Sequence, residues 1–597
     1  MSTHRETDGT EMVSVQDLRH LLRPPAPAVR SADSVRIQVP DGTLDGTLKG
    51  PVALAAAAGL CLILAQAFIP FDEFVHRADD AYYYFKVAAN YPALGFWSFD
   101  GEQPTNGVQP LWAMMLSGLA QVLAWIGVHD VRHLDRIFVA FTALVQFGAA
   151  VMLFRVLDLH VSRLAAVAAA GAMLFPMGLA WGRISGVESA LLALMLTSVV
   201  AYYHGRFRSH RMPHACVALG LLLGLTALSR LNAGLLIPCL LAFHLLRDRD
   251  APFRSRLWQV IVIGGVASAV IVPYLLWNQV TTGHLLPISG VVKSLGVNEA
   301  LTAWGADTRW SPKFLSYVFW NWREPAEWFV TSRIMDGAWI TGLRVGVQGA
   351  TSAVAALLLI CGLMIGPLLL GRPREWWSVL RQTFSRLSPF MYFAAFAVLD
   401  AAISVFVYPT QTYAIPRWWL ISCEILLVVL TATLVSAAVA YTITRIAPAR
   451  FHRRIVAAGL VVLISAHTWK TVSFYWDGRV QHHDWNLSWN DESYRAAEWI
   501  SRNVPPGELV GSWNAGVVGY YAGSGVVNLD GLINNASFLP YLREDDVGGY
   551  VRTRGIRYLS DLDPMFTREL GPGFSMTEVY SSYSSLMGQY YRIYRVD

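Results

Sequence analysis

Lysine is nearly missing from this chain. Of 597 residues only Lys49, Lys86, Lys293, Lys313 and Lys470 carry an ammonium, and the rest of the 47 basic residues are Arg. Charge of any sign is scarce as well: Asp, Glu, Lys and Arg together make up 15%, where a soluble protein carries roughly a quarter. With 54% hydrophobic residues and a mean hydropathy of +0.39, an ordinary soluble enzyme is excluded. No nucleic-acid partner is expected. Cysteine is equally thin. The five cysteines (Cys61, Cys216, Cys239, Cys361, Cys423) lie in or at the ends of apolar runs, which excludes a disulfide framework and a Cys-based metal site. The preference for Arg over Lys suggests a GC-rich bacterial source.

What the chain has instead is span-length apolar runs, such as "PVALAAAAGLCLILAQAFIP" at 51–70 and "LISCEILLVVLTATLVSAAVA" at 420–440. About twenty residues with few charges suffice to cross a bilayer core. The first run follows a polar tail and not a charged extreme N-terminus, so it reads as an anchor more than a signal peptide. Short Arg-rich loops mark the cytoplasmic side: 206–211, 247–256, 371–386 and 445–454. Spans then alternate near 51–70, 137–157, 164–181, 187–204, 215–229, 233–246, 257–276, 350–370, 389–407, 418–440 and 454–470. That gives about eleven spans, with the N-terminus inside and the C-terminus outside. The run at 110–128 breaks the alternation and reads as a helix in the outer membrane interface, anchored by Trp112 and Trp125; an ordinary span is the alternative.

The expected fold class is an all-α polytopic membrane protein with a small C-terminal extracytoplasmic α/β domain. Residues 1–50 read as a disordered cytoplasmic tail and 51–470 as the transmembrane domain, with outer loops 71–136 and 277–349. Residues 471–597 form the outer domain, where "SYRAAEWISRNV" reads as an amphipathic helix and "ELVGSW" and "GVVNL" as strands. The localisation that follows is a bacterial inner membrane.

The chemistry-bearing residues collect on the outer face. Asp79 and Asp80 open a helical run, "DDAYYYFKVAAN", which Pro92 is expected to close. One Asp suffices as an N-cap, and the other is available as a general base, its pKa raised by its neighbour. Glu188 in "SGVESALLAL", Arg230 in "LSRLNAG", Lys293 in "PISGVVKS" and Arg417 in "YAIPRWW" add an acid and three cations at the same boundary. Each alone reads as an interface anchor; together they suit a lipid-linked phosphate. Asp400, in mid-span, reads as a structural pair or a proton path.

The series "DDAYYYF", "FDGEQPTNGVQPLW", "SGVESALLAL", "ALSRLNAG", "PYLLWNQVTTGHLLPISGVVKS" and "VVNLDGL" resembles the GT-C superfamily of membrane glycosyltransferases. Within it, the nearest branch is the bacterial one that includes the mycobacterial arabinofuranosyltransferases. The resemblance implies an enzyme of cell-envelope biogenesis. It would move a sugar from a polyprenyl-phosphate carrier to a hydroxyl of an extracytoplasmic glycan, lipid or protein. It implies Asp79 and Asp80 as the catalytic pair. Arg230, Lys293 and Arg417 are then the candidates for the donor phosphate, and Tyr83, Asn106, Glu188 and Trp112 for substrate contact. Gln109 stands where relatives are expected to carry His, and Asn232 where they carry Asp, so neither is assigned acid–base work. No cofactor is expected, although two adjacent carboxylates are compatible with a divalent cation. The rival readings are a transporter or flippase of a lipid-linked sugar and a non-catalytic assembly scaffold.

Overall fold

The structure is a computed structural model. It describes residues 78–174, 186–208, 212–247, 251–295, 373–407, 421–446 and 485–597, less a few positions near the end of the chain, and some isolated residues elsewhere. The expected spans at 350–370 and 454–470, nearly all of 51–70, and Arg417 fall outside the described residues.

The first part is helical: α1 (Asp79–Leu94), α2 (Pro110–Trp125), α3 (Val131–His160), α4 (Arg163–Leu174), α5 (Ser189–Tyr202), α6 (Pro213–Ser229), α7 (Leu236–Arg247), α8 (Phe253–Thr282), α9 (Ile288–Leu295), α10 (Pro373–Leu387), α11 (Met391–Val407) and α12 (Ile421–Ile446). Among the described residues, four helices are long and apolar enough to cross a membrane: Val131–His160, Phe253–Thr282, Arg374–Ser404 and Ile421–Ile443. Shorter apolar helices accompany them, Pro110–Trp125, Arg163–Met173, Pro213–Ser229 and Leu231–Arg247; several of the eleven expected spans fall wholly or partly outside the described residues.

Two local expectations need correction. Helix α1 does not stop at Pro92; it ends at Gly95, whose φ of 74° and N–H bond to the Tyr91 carbonyl close it. A proline so near the C-terminus forfeits one backbone bond, and a left-handed glycine is the stronger stop. The second correction is the segment 371–386, expected as a loop for its arginines. It is mostly helix α10, which buries Trp376, Val379 and Leu380 beside Ala438 and Tyr441 of α12. Apolar residues spaced three and four apart make one helical face, and the Arg count masked that pattern.

The last part opens on helix α13 (Trp485–Asn503) and builds a five-stranded sheet in the order β2-β1-β3-β5-β4. The strands are β1 (Leu509–Ser512), β2 (Val526–Asn528), β3 (Ile556–Leu562), β4 (Met576–Ser584) and β5 (Gln589–Val596). β1 pairs in parallel with β2 and β3, while β5 runs antiparallel to β3 and β4. β1 and β2 are buried along their whole length, as parallel strands covered on both faces must be. Between them lies the short helix α14 (Ala515–Tyr521).

The tail does not hang free of the helices. Tyr520 and Phe138 share one core with Tyr82 and Phe85 of α1, ring centroids 5.1–6.1 Å apart. Gly107 marks one close approach: a Cβ there would lie 2.1 Å from the Leu532 carbonyl oxygen and 3.1 Å from the Ile288 side chain. Only glycine leaves room for three segments to meet at that point.

Candidate active site

The tyrosine run of α1 sorts itself by helical geometry. Successive side chains turn by about 100°, so three adjacent tyrosines face three directions. Tyr82 enters the core between α1 and α14. Tyr83 donates its hydroxyl to Asp530 at 3.2 Å, and Tyr84 donates to Glu188 at 2.9 Å. The helix is thereby locked to the tail on one side and to the chain before α5 on the other.

The aspartate pair divides in the same way. Ala78, not Asp79, is the N-cap of α1, and α1 has no side-chain cap. Asp79 caps a different helix. Its Oδ2 accepts from the Gly516 N–H at 3.0 Å and its Oδ1 from the Val517 N–H at 2.8 Å. These are the second and third positions of α14, whose own N-cap residue, Asn514, makes no side-chain cap bond. An N-cap side chain normally does this work; here it arrives from more than four hundred residues away. Asp561 completes the turn, accepting from Trp513 and Asn514 backbone N–H groups at 2.9 and 2.8 Å.

Asp80 is spared that duty. Among the described residues no hydrogen bond ends on its carboxylate, and the charges that face it are Lys293 and Glu188. Burial raises its pKa, the Lys293 ammonium pulls it back and Glu188 pushes it up again. Burial likewise pushes Asp79 up to about 7, against its two N–H bonds. Lys293 is held below its usual range by burial, with Asp80 the foremost charge opposing the shift. These are the environments that tune groups for proton transfer.

Glu188 and Arg230 form the deeper layer. The Arg230 Nε lies 3.6 Å from Glu188 Oε1, with side-chain exposures of 8% and 7%, so both count as buried ions rather than interface anchors. Removing one member of such a pair strands the other. Arg230→Gln is expected to destabilise the protein by about 3 kcal/mol, read as a fall in melting temperature in detergent. Arg230→Lys should recover part of it.

The remaining candidates are structural. The Trp112 ring is fully buried, its indole N–H donates to the Gly186 carbonyl at 2.8 Å, and it stacks on Phe141. No face is left for a sugar, because the proline-started α2 turns Trp112 inward. Asn106 spends its carboxamide on Asn278 at 2.9 Å and on the Ile288 N–H at 3.1 Å; it ties α8 to the start of α9 and so places Lys293. Gln109 accepts from the Leu231 N–H at 3.3 Å, beside Arg230. Asp400 accepts from Asn232 and Ser422, a structural pairing. Asp530 in "VVNLDGL" is a site residue to which the sequence alone assigns no role. An acid directly between an apolar strand and a glycine was the available signal. Among the described residues, no three His, Cys, Asp or Glu side chains gather to hold a metal.

A family model described as a domain of unknown function (DUF8728) matches residues 483–594. No curated protein matches the chain. Solved structures similar to it include the archaeal oligosaccharyltransferase AglB from Archaeoglobus fulgidus in complex with an inhibitory peptide and a dolichol-phosphate. That one is 12% identical with a TM-score of 0.48, over 87% of this chain and 69% of the other. The apo form of the Archaeoglobus enzyme gives 12%, 0.49, 87% and 70%. ArnT from Cupriavidus metallidurans bound to undecaprenyl phosphate gives 15%, 0.42, 92% and 98%.

Proposed function

We propose that the protein is a membrane glycosyltransferase of the GT-C kind. It takes a sugar from a polyprenyl-phosphate carrier and gives it to a hydroxyl of an extracytoplasmic glycan, lipid or protein. The observation that carries the reading is the division of the aspartate pair: Asp79 is consumed by α14, while Asp80 is left facing Lys293. The sequence motifs point the same way, and arabinofuranose is the first donor sugar to try.

In this reaction the acceptor oxygen attacks the anomeric carbon as the bond from that carbon to the carrier phosphate oxygen breaks. The hydroxyl proton passes to Asp80, and polyprenyl phosphate leaves as the dianion. Direct attack inverts the anomeric centre. Lys293 meets the charge that grows on the phosphate, where a charge-assisted bond strengthens as the reaction proceeds. Arg230 supports it from the Glu188 pair, and Arg417 is a third candidate cation. Lys293 and Arg230 are offered for that charge without a metal, so turnover is expected to survive chelation.

The pH dependence has a definite sign. Asp80 accepts a proton only when ionised, so the rate climbs as pH rises through its pKa, which burial places above the ordinary carboxylate range. Lys293 holds that pKa down. Lys293→Gln is therefore expected to raise the donor KM and to move the acid limb of kcat/KM to higher pH. An acid limb that stays in place would remove Lys293 from the vicinity of the base. The reading as a whole is tested with purified protein, a panel of polyprenyl-phosphate sugars (arabinofuranose, mannose, glucose, galactose) and an extracted envelope glycan. Carrier phosphate and glycosylated product are followed by mass spectrometry; release from one donor supports it, and release from none counts against it.

A further inference from the structure

Asp530 belongs to the tail, yet it stands inside the charge cluster just described. It follows β2 in "VVNLDGL". Its Oδ1 accepts from the Leu532 N–H at 2.7 Å and its Oδ2 from the Tyr83 hydroxyl at 3.2 Å. Tyr83 lies three residues after Asp80, on the same side of α1. The next residue, Gly531, sits against Val292, the neighbour of Lys293: a Cβ on Gly531 would lie 3.1 Å from the Val292 side chain. Thr105, from the loop before α2, donates to the Asn534 carbonyl at 2.8 Å and holds the far end of the same turn. The turn at 528–534 thus closes over α1 and α9 together.

We propose that Asp530 is a positioning residue of this site, fixing Tyr83 and acting with Asp80 on the ammonium of Lys293. The DUF8728-type tail is then part of the catalytic centre, because it supplies one of the acids around the cation. Among the described residues, the charges that bear on Lys293 include Asp80, Glu188 and Asp530 on the acidic side and Arg230 on the basic side. Asp530 itself faces Asp80, Tyr83, Asn528 and the Leu532 N–H, and burial pushes it up to about 7. Removing its charge lowers the pKa of every ionisable neighbour, since a lost negative charge favours the deprotonated form of both carboxylic acids and ammonium groups.

The role in transfer rests on the glycosyltransferase reading; the effect on Lys293 does not. Two measurements separate them. In the first, Asp530→Asn, which keeps the shape and one acceptor oxygen, is compared with wild type by competitive acetylation. Only five lysines are present, and the peptide carrying Lys293 is quantified by mass spectrometry from pH 6 to 11. The labelling midpoint of Lys293 is expected to fall by on the order of half a unit or more, with the Lys313 midpoint as the internal control. An unchanged midpoint in a variant that melts like wild type overturns the proposal. In the second, the acid limb of the pH–rate profile, set by Asp80, and a basic limb, set by loss of the Lys293 proton, are both expected to move to lower pH. A profile that drops in height without moving would leave Asp530 a merely structural residue. Absence of turnover in the wild type would sink the glycosyltransferase reading and leave the labelling result standing on its own.

Discussion

Asp80→Asn should cost this protein at least a hundredfold and up to ten-thousandfold of its transfer rate, the span that loss of a general base usually covers. The substitution keeps the shape of the side chain. No hydrogen bond from the described residues is lost with it, but Lys293 loses the foremost charge opposite it, so a lower melting temperature with the tail still docked is expected. Asp79→Asn should behave differently. Its carboxylate serves the Gly516 and Val517 N–H groups, and an amide can accept from only one of them while its NH2 faces the other. The expected result is a protein that melts at a lower temperature but keeps at least about a tenth of its turnover, a rise in the barrier of about 1.4 kcal/mol or less. The two variants, measured side by side by carrier-phosphate release and thermal melting, distinguish base from clamp. Equal losses in both would contradict the division of the pair. A larger loss in Asp79→Asn would reverse it.

The second large effect is expected from a residue with no side chain. A Cβ on Gly516 would lie 2.1 Å from the Asp79 carbonyl oxygen and 2.6 Å from its carboxylate. No rotamer change relieves a clash with backbone, so Gly516→Val must push α14 away from α1. That breaks both N–H bonds to Asp79 and opens the packing of Tyr520 on Tyr82 and Phe85. It also draws Asp530 away from Tyr83. Transfer should fall below detection while the helical part stays folded. The tail should become susceptible to limited proteolysis near 505–507, where the turn after α13 is exposed. Retained activity with a protected tail would show that docking at α14 is dispensable.

Much of this was legible from residue types alone, for reasons that can be traced. The acids and cations were visible because charge is rare in this chain, so each one at an apolar boundary stands out. The strand pieces "ELVGSW" and "GVVNL" fall where β1 and β2 form, since short apolar runs bounded by turn residues leave few alternatives. The partner of Asp79 was not legible. Capping is a local signal, and nothing in a sequence announces that the capped helix lies at the other end of the chain. Trp112 was misread for a related reason: an aromatic near a membrane boundary suits an anchor or a platform equally, and only the inward turn of α2 decides. Asp530 was passed over because a single acid after a strand resembles any turn. Its meaning comes from Tyr83 and Val292, which reach it from two other segments.

The most direct measurement places wild-type protein in vesicles with a polyprenyl-phosphate arabinofuranose donor and an extracted envelope glycan. It asks whether the sugar–phosphate bond is broken or the intact donor is carried across. The account predicts free polyprenyl phosphate and a glycan heavier by one sugar, both lost in Asp80→Asn. Intact donor moved from one leaflet to the other, with no carrier phosphate released from this or any other donor of the panel, would contradict it and identify a transporter instead.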